Sequence, residues 1–432
     1  MGGTFHSLKK IVIRECEIRN TNNLVMALTR VANSLKDLEI SDCHDLSPIP
    51  IGTLLWTCQN LKRFAYSSPK MIYPSELFGS VTPSFMSSLT ILDLSMGGFK
   101  GNCLGTLITH CPKLRVLRLD NCNSRLLPVI YQRCPYLEFL LFNDFTCISD
   151  LSLTQYESDT EQINGLQEII IGVDILDHFK PLLNGNCKTI KRMELALETS
   201  GNSGQAFSTI GELTQLEELT LTFNVYASMT IPTLFEKIRS LQSLIFISCN
   251  FNDHDVSNSV ARFANRTTPL KSLVFNDCTL RSNNVIDTIT QFKQLQEFTL
   301  CDDCDITFED AQRLLRHFAR QSSNSNDGQL IMMILDIPSL TSICIGFAPN
   351  ITAHGINSFC KELHRLPIKE LTIYSIPHVT DVTLTYLYNV KTLKEITFTF
   401  LRNITPEGVK TLQNTNNINV HYQDGFVNFN NE

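Results

Sequence analysis

The stretch from Cys111 to Cys122, CPKLRVLRLDNC, sets the strongest limit on how this chain can fold. It places Leu114, Leu117 and Leu119 at the spacing L-x-x-L-x-L and closes with Cys122. Side chains alternate along an extended strand, so Leu117 and Leu119 point to the same side. A free thiol is small and easily buried. The stretch therefore predicts a short strand with one buried side, followed by a buried cysteine.

The same spacing recurs along the whole chain, and most copies start about 23 to 29 residues after the one before. The copies begin at Leu8, Leu35, Leu61, Leu89, Leu114, Leu137, Leu166, Ile190, Leu216, Leu241, Leu270, Leu295, Leu340, Ile368 and Leu393, with a weak last copy at Ile418. This period is typical of leucine-rich repeats, in which one unit cannot bury its own apolar face and neighbouring units stack.

A chain of 432 residues would ordinarily divide into several domains, unless a repeat lets one core grow in a single direction. We therefore expect one leucine-rich repeat domain over residues 1–432, with about sixteen repeats. The expected fold class is α/β: a right-handed βα horseshoe solenoid with a parallel sheet on its concave side and helices on its convex side.

The segments between the predicted strands favour helices. Thr352 can cap a helix that runs through NSFCKELHRL, where apolar residues recur at helical spacing. Thr405 and Pro406 open a second such helix, with proline at a position compatible with the first turn. Val379-Thr380-Asp381 is a third copy of this opening.

Two further details carry a family resemblance. Cys-Pro precedes a repeat leucine at Cys111-Pro112 and at Cys134-Pro135, and two helix openings have the form I-T-x-x-G. Together with L-x-x-L-x-L-x-x-C, they resemble the cysteine-containing class of leucine-rich repeat over nearly the whole chain. In that class the repeats typically form the substrate-binding part of F-box proteins, the receptors of SCF-type ubiquitin ligases. The resemblance implies a protein substrate on the concave sheet, with the Skp adaptor and a cullin as partners if an F-box exists outside this chain.

The chain departs from that family at its start. The copy at Leu8 begins almost at once, so we expect no separate helical domain before it. The segment 73–78, YPSELF, is faintly similar to the start of an F-box, but we expect a surface connector there. Either the F-box is missing from this sequence or the chain is a repeat-only adaptor. The alternative function is a repeat-only scaffold or inhibitor that uses the same face.

Charge and cysteine content limit the partners and the compartment. A net charge of -7, without a run of Lys and Arg, disfavours nucleic acid and anionic membranes. The 15 cysteines are odd in number and fall mostly at two repeat positions, which indicates free buried thiols in a reducing compartment. The sequence has no signal-peptide pattern and no apolar run long enough to span a membrane. We expect a cytoplasmic or nuclear protein.

No residue pattern points to catalysis, a cofactor or a metal. Cys301 and Cys304 have C-x-x-C spacing without a second ligand pair nearby, and His317 has no ligand partner at suitable spacing. The segment 200–204, SGNSG, lacks the lysine that a phosphate-binding loop needs. A GTPase-activating role would require a polar catalytic site at the repeat rim, and no such site is visible. We therefore expect a chain that is not an enzyme.

The residues between the buried anchors are the candidate binding surface. In the middle and later repeats they are apolar, and the predicted set is Ile170, Phe223, Ile245, Ile247, Val274, Phe347, Tyr374 and Phe400. In an earlier repeat, Arg115, Arg118 and Asp120 are expected to steer a partner. Neighbouring loops could instead cover these side chains. Residues 321–329 are expected to form a flexible loop, and residues 422–432 a polar tail.

Overall fold

The computed structural model describes residues 8–18, 20–43, 51–72, 86–94, 97–99, 103–120, 122, 126–143, 165–172, 179–197, 209–223, 238–249, 260, 263, 269–278, 292, 294–301, 339–346 and 352–423. The chain divides into two compact units, Met1–Ala196 (unit 1) and Leu197–Glu432 (unit 2). Both units are built from the same repeat, in which a strand is followed by a return segment to the next strand.

In unit 1 each strand pairs in parallel with the strand of the next repeat. The order is β1 (Lys10–Arg14), β2 (Asp37–Ser41), β3 (Arg63–Tyr66), β5 (Ile91–Leu94), β7 (Val116–Leu119), β8 (Phe139–Asn143), β9 (Glu168–Gly172) and β10 (Arg192–Leu197). Two further strands, β4 (Ser68–Ile72) and β6 (Gly97–Phe99), pair with each other as a separate ladder.

Unit 2 repeats this construction. Its parallel strands are β11 (Glu218–Phe223), β12 (Ser243–Ile247), β13 (Ser272–Asn276), β14 (Glu297–Cys301), β15 (Ser342–Gly346), β16 (Glu370–Tyr374), β17 (Glu395–Thr399) and β18 (Asn419–Gln423). The strands are neighbours in chain order. Because paired strands are parallel, a connecting segment must return the chain to the start of each next strand.

The described helices lie between consecutive strands. They are α1 (Thr21–Val31), α2 (Ile51–Thr57), α3 (Cys103–Thr109), α4 (Leu127–Arg133), α5 (Lys180–Gly185), α6 (Ala353–Glu362), α7 (Asp381–Leu387) and α8 (Pro406–Asn416). A short 3-10 helix, Leu363–Arg365, follows α6.

The predicted core positions are buried. Leu114 and Leu117 are 0% exposed, and Leu119 and Cys122 are 1% exposed. The register places Leu92 beside Leu117 and Leu94 beside Leu119, so each anchor stacks on the same anchor of the neighbouring repeat. Complete burial of a leucine side chain stabilises a fold by about 1.5 to 3 kcal/mol. The repeat pattern read from the sequence is therefore confirmed at this position.

The cysteine after the strand has a second role besides filling space. The thiols of Cys43, Cys249 and Cys278 donate to the carbonyl oxygens of Ile13, Leu221 and Phe246, at 3.8, 3.5 and 3.4 Å respectively. Each acceptor belongs to the last anchor position of the preceding strand. The thiol thus links two repeats where the strand ladder ends. The cysteines whose side chains are described form no disulfide with one another.

The predicted helix openings are confirmed. The Thr352 hydroxyl accepts a hydrogen bond from the Gly355 N–H at 3.1 Å, and Thr405 accepts one from Gly408 at 3.0 Å. In the third opening, the Thr380 N–H donates to the Thr383 hydroxyl at 3.1 Å. These bonds satisfy N–H groups that a helix start leaves without an intrahelical partner.

Two expectations need correction. Tyr422 and Gln423 belong to β18, so the expected tail of residues 422–432 begins later than the sequence indicated. Cys16 is exposed, because β1 is the first strand of its ladder and no earlier described strand covers it. The expectation of one domain over residues 1–432 stays a prediction, and the expected loop at 321–329 lies outside the described residues.

Candidate functional site

The outer face of each strand is the side that does not carry the buried anchors. In β7 the pattern alternates between partly exposed and buried residues, with Val116 and Arg118 outside and Leu117 and Leu119 inside. The side chains at the first, third and fifth positions of each strand lie on this side of the ladder, which we call the outer face. The parallel register aligns equal positions of neighbouring repeats across this face.

The three charged residues predicted in β7 and around it occupy different positions. Arg118 lies on the outer face, 3.3 Å from the Asp93 carboxylate, and its guanidinium carbon is 4.8 Å from the centre of the Phe139 ring. Arg115 lies just before β7 and forms an ion pair with Glu138 of the next repeat. Asp120 follows β7 directly and is partly exposed. Their role in binding stays a prediction.

Unit 1 carries an apolar surface that the sequence interpretation largely missed. The apolar patch consists of five partly exposed outer-face residues: Ile91, Val116, Phe139, Leu141 and Ile170. The first three are adjacent at the first strand position, and the last two are adjacent at the third position. Of the five, only Ile170 was predicted from the sequence.

An ionic cluster lies on the outer face of β1, β2 and β3. It consists of Lys10, Arg14, Asp37, Glu39 and Arg63. Arg63 Nη1 is 2.8 Å from Asp37 Oδ1 and 3.0 Å from Glu39 Oε2, so one guanidinium bridges two carboxylates. Lys10 Nζ is 3.5 Å from Asp37, and Arg14 also pairs with Glu39.

Glu39 is the most buried member of the ionic cluster, at 7% exposure. Burial alone raises the pKa of its carboxyl, but hydrogen bonds and positive charge from Arg14 and Arg63 outweigh that effect and lower the pKa overall. Glu39 is therefore charged at neutral pH. On the far side of the apolar patch, Arg192 Nη2 is 2.7 Å from Glu168 Oε2. Fixed ion pairs thus lie on both sides of the patch.

Unit 2 brings together three of the predicted apolar residues. Ile245 and Val274 are adjacent across β12 and β13, and Ile247 lies two residues further along β12, on the same face. All three are partly exposed. They form a smaller apolar cluster than the one in unit 1, because Asn276 is the neighbour of Ile247.

Two of the predicted aromatic residues, Tyr374 and Phe400, lie at the ends of the neighbouring strands β16 and β17. The Tyr374 ring lies directly over Gly346 of the preceding strand, since a Cβ added there would be 2.1 Å from ring atoms. Phe400 follows β17 with a φ of 55°, a left-handed conformation that bulky residues rarely adopt. The residues that directly follow other strands have the same conformation, among them Ser248, Asp277 and Ser375. The Phe223 side chain and all of Phe347 lie outside the described residues.

Three of the buried thiols, those of Cys58, Cys111 and Cys134, are poor candidates for nucleophiles. Burial raises the pKa of Cys111 to about 12, although a hydrogen bond involving Ser87 lowers it slightly. Burial and the neighbouring Cys111 raise the pKa of Cys134 to about 12. Burial raises that of Cys58 to about 11. These groups stay protonated at neutral pH, and the thiolate is the reactive form.

The other motifs considered in the sequence give no site in the described part of the chain. Cys301 ends β14, but its side chain, Cys304 and His317 lie outside the described residues, as do the segments 200–204 and 73–78. Among the residues that are described, no three His, Cys, Asp or Glu side chains are grouped as a metal site. No described helix has the length and apolar character needed to cross a membrane.

The alternation of strand side chains could have revealed the apolar patch. The sequence interpretation identified apolar residues between anchors in the middle and later repeats, but only charged ones in the repeat around β7. In β7 and β8 the charged residues Arg115 and Glu138 lie one position before the strand, whereas Val116 and Phe139 occupy its first position. The strand boundary decides which residue lies on the outer face, and such boundaries are uncertain from sequence alone.

Comparison with known proteins defines the fold and leaves the family open. No family model matches the chain, and no curated protein matches it. A chain of the Rad7 and Elc1 complex in yeast aligns with 16% identity over 90% of this chain and 86% of that one, but the TM-score of 0.38 is too low to establish a shared fold.

A stronger structural match is to TLR13 in its complex with ssRNA13. The TM-score is 0.56 at 13% identity, and the alignment covers 98% of this chain and 54% of the TLR13 chain. The chain thus spans about half the length of that protein. The parallel strand ladders, the buried leucine positions and this likeness together show an α/β leucine-rich repeat solenoid.

Proposed function

We propose that this chain is a non-catalytic protein-binding module that holds a partner on the outer face of its repeat sheet. The observation that carries the proposal is the apolar patch of unit 1, five adjacent and partly exposed side chains centred on Phe139. Contiguous apolar groups on a soluble surface are costly to leave in water and commonly mark protein interfaces.

The surroundings of the apolar patch support this proposal. Protein interfaces typically have an apolar centre and a polar rim. Here the ionic cluster lies on one side and the Arg192–Glu168 pair on the other. Arg118 is held between Asp93 and the Phe139 ring, so it can meet a partner without first losing much conformational freedom. Arginine beside an aromatic ring is a common composition of binding hot spots.

More specifically, we propose that the chain recognises substrates for an SCF-type ubiquitin ligase and performs no chemistry itself. The support is the resemblance in the Cys-Pro and I-T-x-x-G motifs, whose Cys111 and Cys134 are buried and whose Thr352 and Thr405 cap helices. A Skp adaptor and a cullin would then associate through an F-box outside the repeats. A repeat-only scaffold or inhibitor is the second candidate, because it would use the same face.

Quantitative co-purification separates these two functions. The tagged chain is isolated from cells that express it, beside a Val116→Asp/Leu141→Asp variant that places charge in the apolar patch. The control is Val382→Asp, at a residue of α7 that is 55% exposed. We expect the patch variant to lose at least one protein that the control retains, with equal thermal stability.

The same experiment decides between ligase receptor and scaffold. A Skp-family protein and a cullin recovered in stoichiometric amounts with all three chains would support the receptor function. A patch-dependent partner without Skp or cullin would favour the scaffold or inhibitor. Equal recovery of all proteins by the patch variant and the control would contradict protein binding at this surface.

A further inference from the structure

Unit 1 has a row of lysines that is invisible as a run in the sequence. We call this set the lysine row: Lys9, Lys36 and Lys62. Each of them lies one residue before one of the three neighbouring strands β1, β2 and β3. The Lys36 N–H donates to the Lys9 carbonyl at 2.8 Å, and the Lys62 N–H donates to the Lys36 carbonyl at 2.8 Å. Neighbouring strands lie about 4.8 Å apart, so the three side chains start about 10 Å from end to end.

The lysine row is exposed and forms no ion pair with the described carboxylates. All three side chains are exposed, and within the described part of the chain no carboxylate forms an ion pair with any of them. Lys62 Nζ lies 3.4 Å from the Ser88 carbonyl oxygen. Like charges on adjacent strands repel each other, so this arrangement costs stability unless a ligand neutralises it.

The next position along the strands adds to the positive charge. Lys10, Asp37 and Arg63 are the first residues of β1, β2 and β3, and Asp37 is already bridged between the two cations. The acids Glu15 and Asp42 follow the other ends of these strands, about 20 Å away. The Debye length is about 8 Å at physiological salt, so those acids hardly weaken the field at the lysine row.

The lysine row also continues toward the apolar patch. Thr90 and Arg115 occupy the same repeat position on the next two strands, since the Thr90 N–H donates to the Lys62 carbonyl and the Arg115 N–H to the Thr90 carbonyl. Ile91 and Val116, two members of the apolar patch, directly follow them in the chain. The lysine row therefore runs along the strand starts that border the apolar patch, although side chains one residue apart in a strand point to opposite sides.

We propose that this combined surface binds an acidic segment of a protein partner. Acidic residues of the segment lie along the lysine row, and large apolar residues beside them pack on Ile91, Val116 and Phe139. The inference rests on the proposed protein-binding function and specifies the chemistry of the partner. Charge complementarity of this kind speeds association and rejects basic partners.

A protein segment fits this surface better than a nucleic acid. The lysine row is about 10 Å long, and the outer face beyond it turns apolar or ion-paired instead of remaining basic. Nucleic-acid binding uses a longer basic strip that neutralises many phosphates. The net charge of -7 would also oppose a polyanion.

Peptide selection tests the inference with defined probes. A displayed library of random 16-residue peptides is selected against the full chain, and enriched peptides are synthesised and measured by fluorescence anisotropy. The matched variants are Lys36→Glu/Lys62→Glu and Lys369→Glu/Lys394→Glu. The second pair lies at the same repeat position on adjacent strands of unit 2, where Glu370 and Glu395 follow directly.

We expect enriched peptides in which several Asp or Glu residues adjoin Leu or an aromatic residue. The Lys36→Glu/Lys62→Glu variant should bind them about tenfold more weakly, because each exposed charge pair contributes a factor of about 1.5 to 5 and its reversal adds repulsion. The unit 2 variant should bind normally. Raising the salt concentration should weaken binding to the natural chain, but it should not weaken binding to the unit 1 variant, whose repulsion it screens.

Other outcomes overturn the inference in distinguishable ways. The proposed preference for acidic segments would be refuted if the enriched peptides were neutral or basic. It would also be refuted if both lysine variants weakened peptide binding equally. If those peptides still require Val116 and Leu141, the proposed protein-binding function stands; if they require neither surface, both proposals fail. The nucleic-acid probe is a labelled single-stranded RNA of 20 uridines. If it binds more tightly than any peptide, and if Lys36→Glu/Lys62→Glu abolishes its binding, the lysine row would be assigned to nucleic acid.

Discussion

At the scale of single residues, Glu39 explains how a carboxylate can remain charged on a crowded sheet face. Its two oxygens accept from Arg14 and Arg63, which lie on the strands to either side. A buried charge without such partners would be strongly destabilising. The pairing fixes the side chains of three strands relative to one another, at the border of the apolar patch.

Replacing Glu39 by Gln should reveal this arrangement through its dependence on pH. The folded-state pKa lies below the unfolded value of 4.5, so the carboxylate stabilises the fold above pH 4.5 and loses that effect as the pH falls through the folded pKa. At pH 7 we expect Glu39→Gln to lower the free energy of unfolding by about 1 to 2 kcal/mol. The loss should shrink toward pH 3, as measured by urea denaturation.

Glu138→Gln provides the matched control for Glu39. Glu138 also pairs with an arginine, but both side chains are well exposed to solvent. Exposed ion pairs contribute about 0 to 1 kcal/mol, so the control should change stability little at either pH. If Glu39→Gln behaves like Glu138→Gln, the buried charge does not stabilise the sheet.

At the scale of elements, the helix openings of unit 2 connect consecutive repeats. Asp381 at the start of α7 accepts from the Thr405 N–H at 2.9 Å and from the Thr405 hydroxyl at 2.7 Å, just before α8. The Thr383 hydroxyl lies 2.6 Å from Asn357 Oδ1 of α6. These bonds hold neighbouring helix starts together.

Gly408 should be required for this connection. A Cβ at this position would lie 2.4 Å from Asp381 Oδ1, so Gly408→Ala must displace the carboxylate from Thr405. Alanine is favoured over glycine in a helix by about 1 kcal/mol, yet we expect a net loss of about 1 to 2 kcal/mol in the free energy of unfolding. Chemical denaturation measures the difference.

Gly105→Ala in α3 is the control for the helix propensity of alanine. Its nearest contacts would be Leu126 and Val129 carbon atoms at 3.6 and 3.7 Å, which are ordinary van der Waals distances. This variant should be neutral or more stable than the natural chain by up to about 1 kcal/mol. A Gly408→Ala variant as stable as Gly105→Ala would show that the Asp381 contact is unimportant.

The elements themselves were predictable from the sequence, whereas the contacts between repeats were only partly so. Leu114, Leu117 and Leu119 predicted strand β7 and its buried side, and Thr352 predicted the cap of α6. Such signals are local, because they depend on alternation and on capping chemistry. The bond between Asp381 and Thr405 depends on the exact offset between two helices, which spacing alone does not determine.

At the scale of the whole molecule, the repeat turns distant residues into surface neighbours. Lys9, Lys36 and Lys62 are separated by 27 and 26 residues in the chain, yet the backbone ladder places them side by side. A search for runs of basic residues could not find them. The apolar patch has the same origin, since Ile91, Val116 and Phe139 come from three repeats.

Both surfaces become predictable once the strand boundaries are known. Residues at the same position of successive repeats then form rows across the sheet, and each row can be classified as charged or apolar. The sequence interpretation aligned the anchors correctly but assigned Arg115 to the face itself, one position too early. That offset concealed Val116, which holds the first position of β7.

Site-specific photo-crosslinking tests most directly whether a partner occupies the outer face of unit 1. Benzoylphenylalanine is placed at Val116 in one chain and at Val382 of α7 in another, and crosslinked proteins are identified by mass spectrometry. We expect a discrete crosslinked partner from position 116 that disappears when Leu141→Asp is added, and none from position 382. Crosslinking to that partner from position 382, with none from position 116, would contradict binding on the outer face.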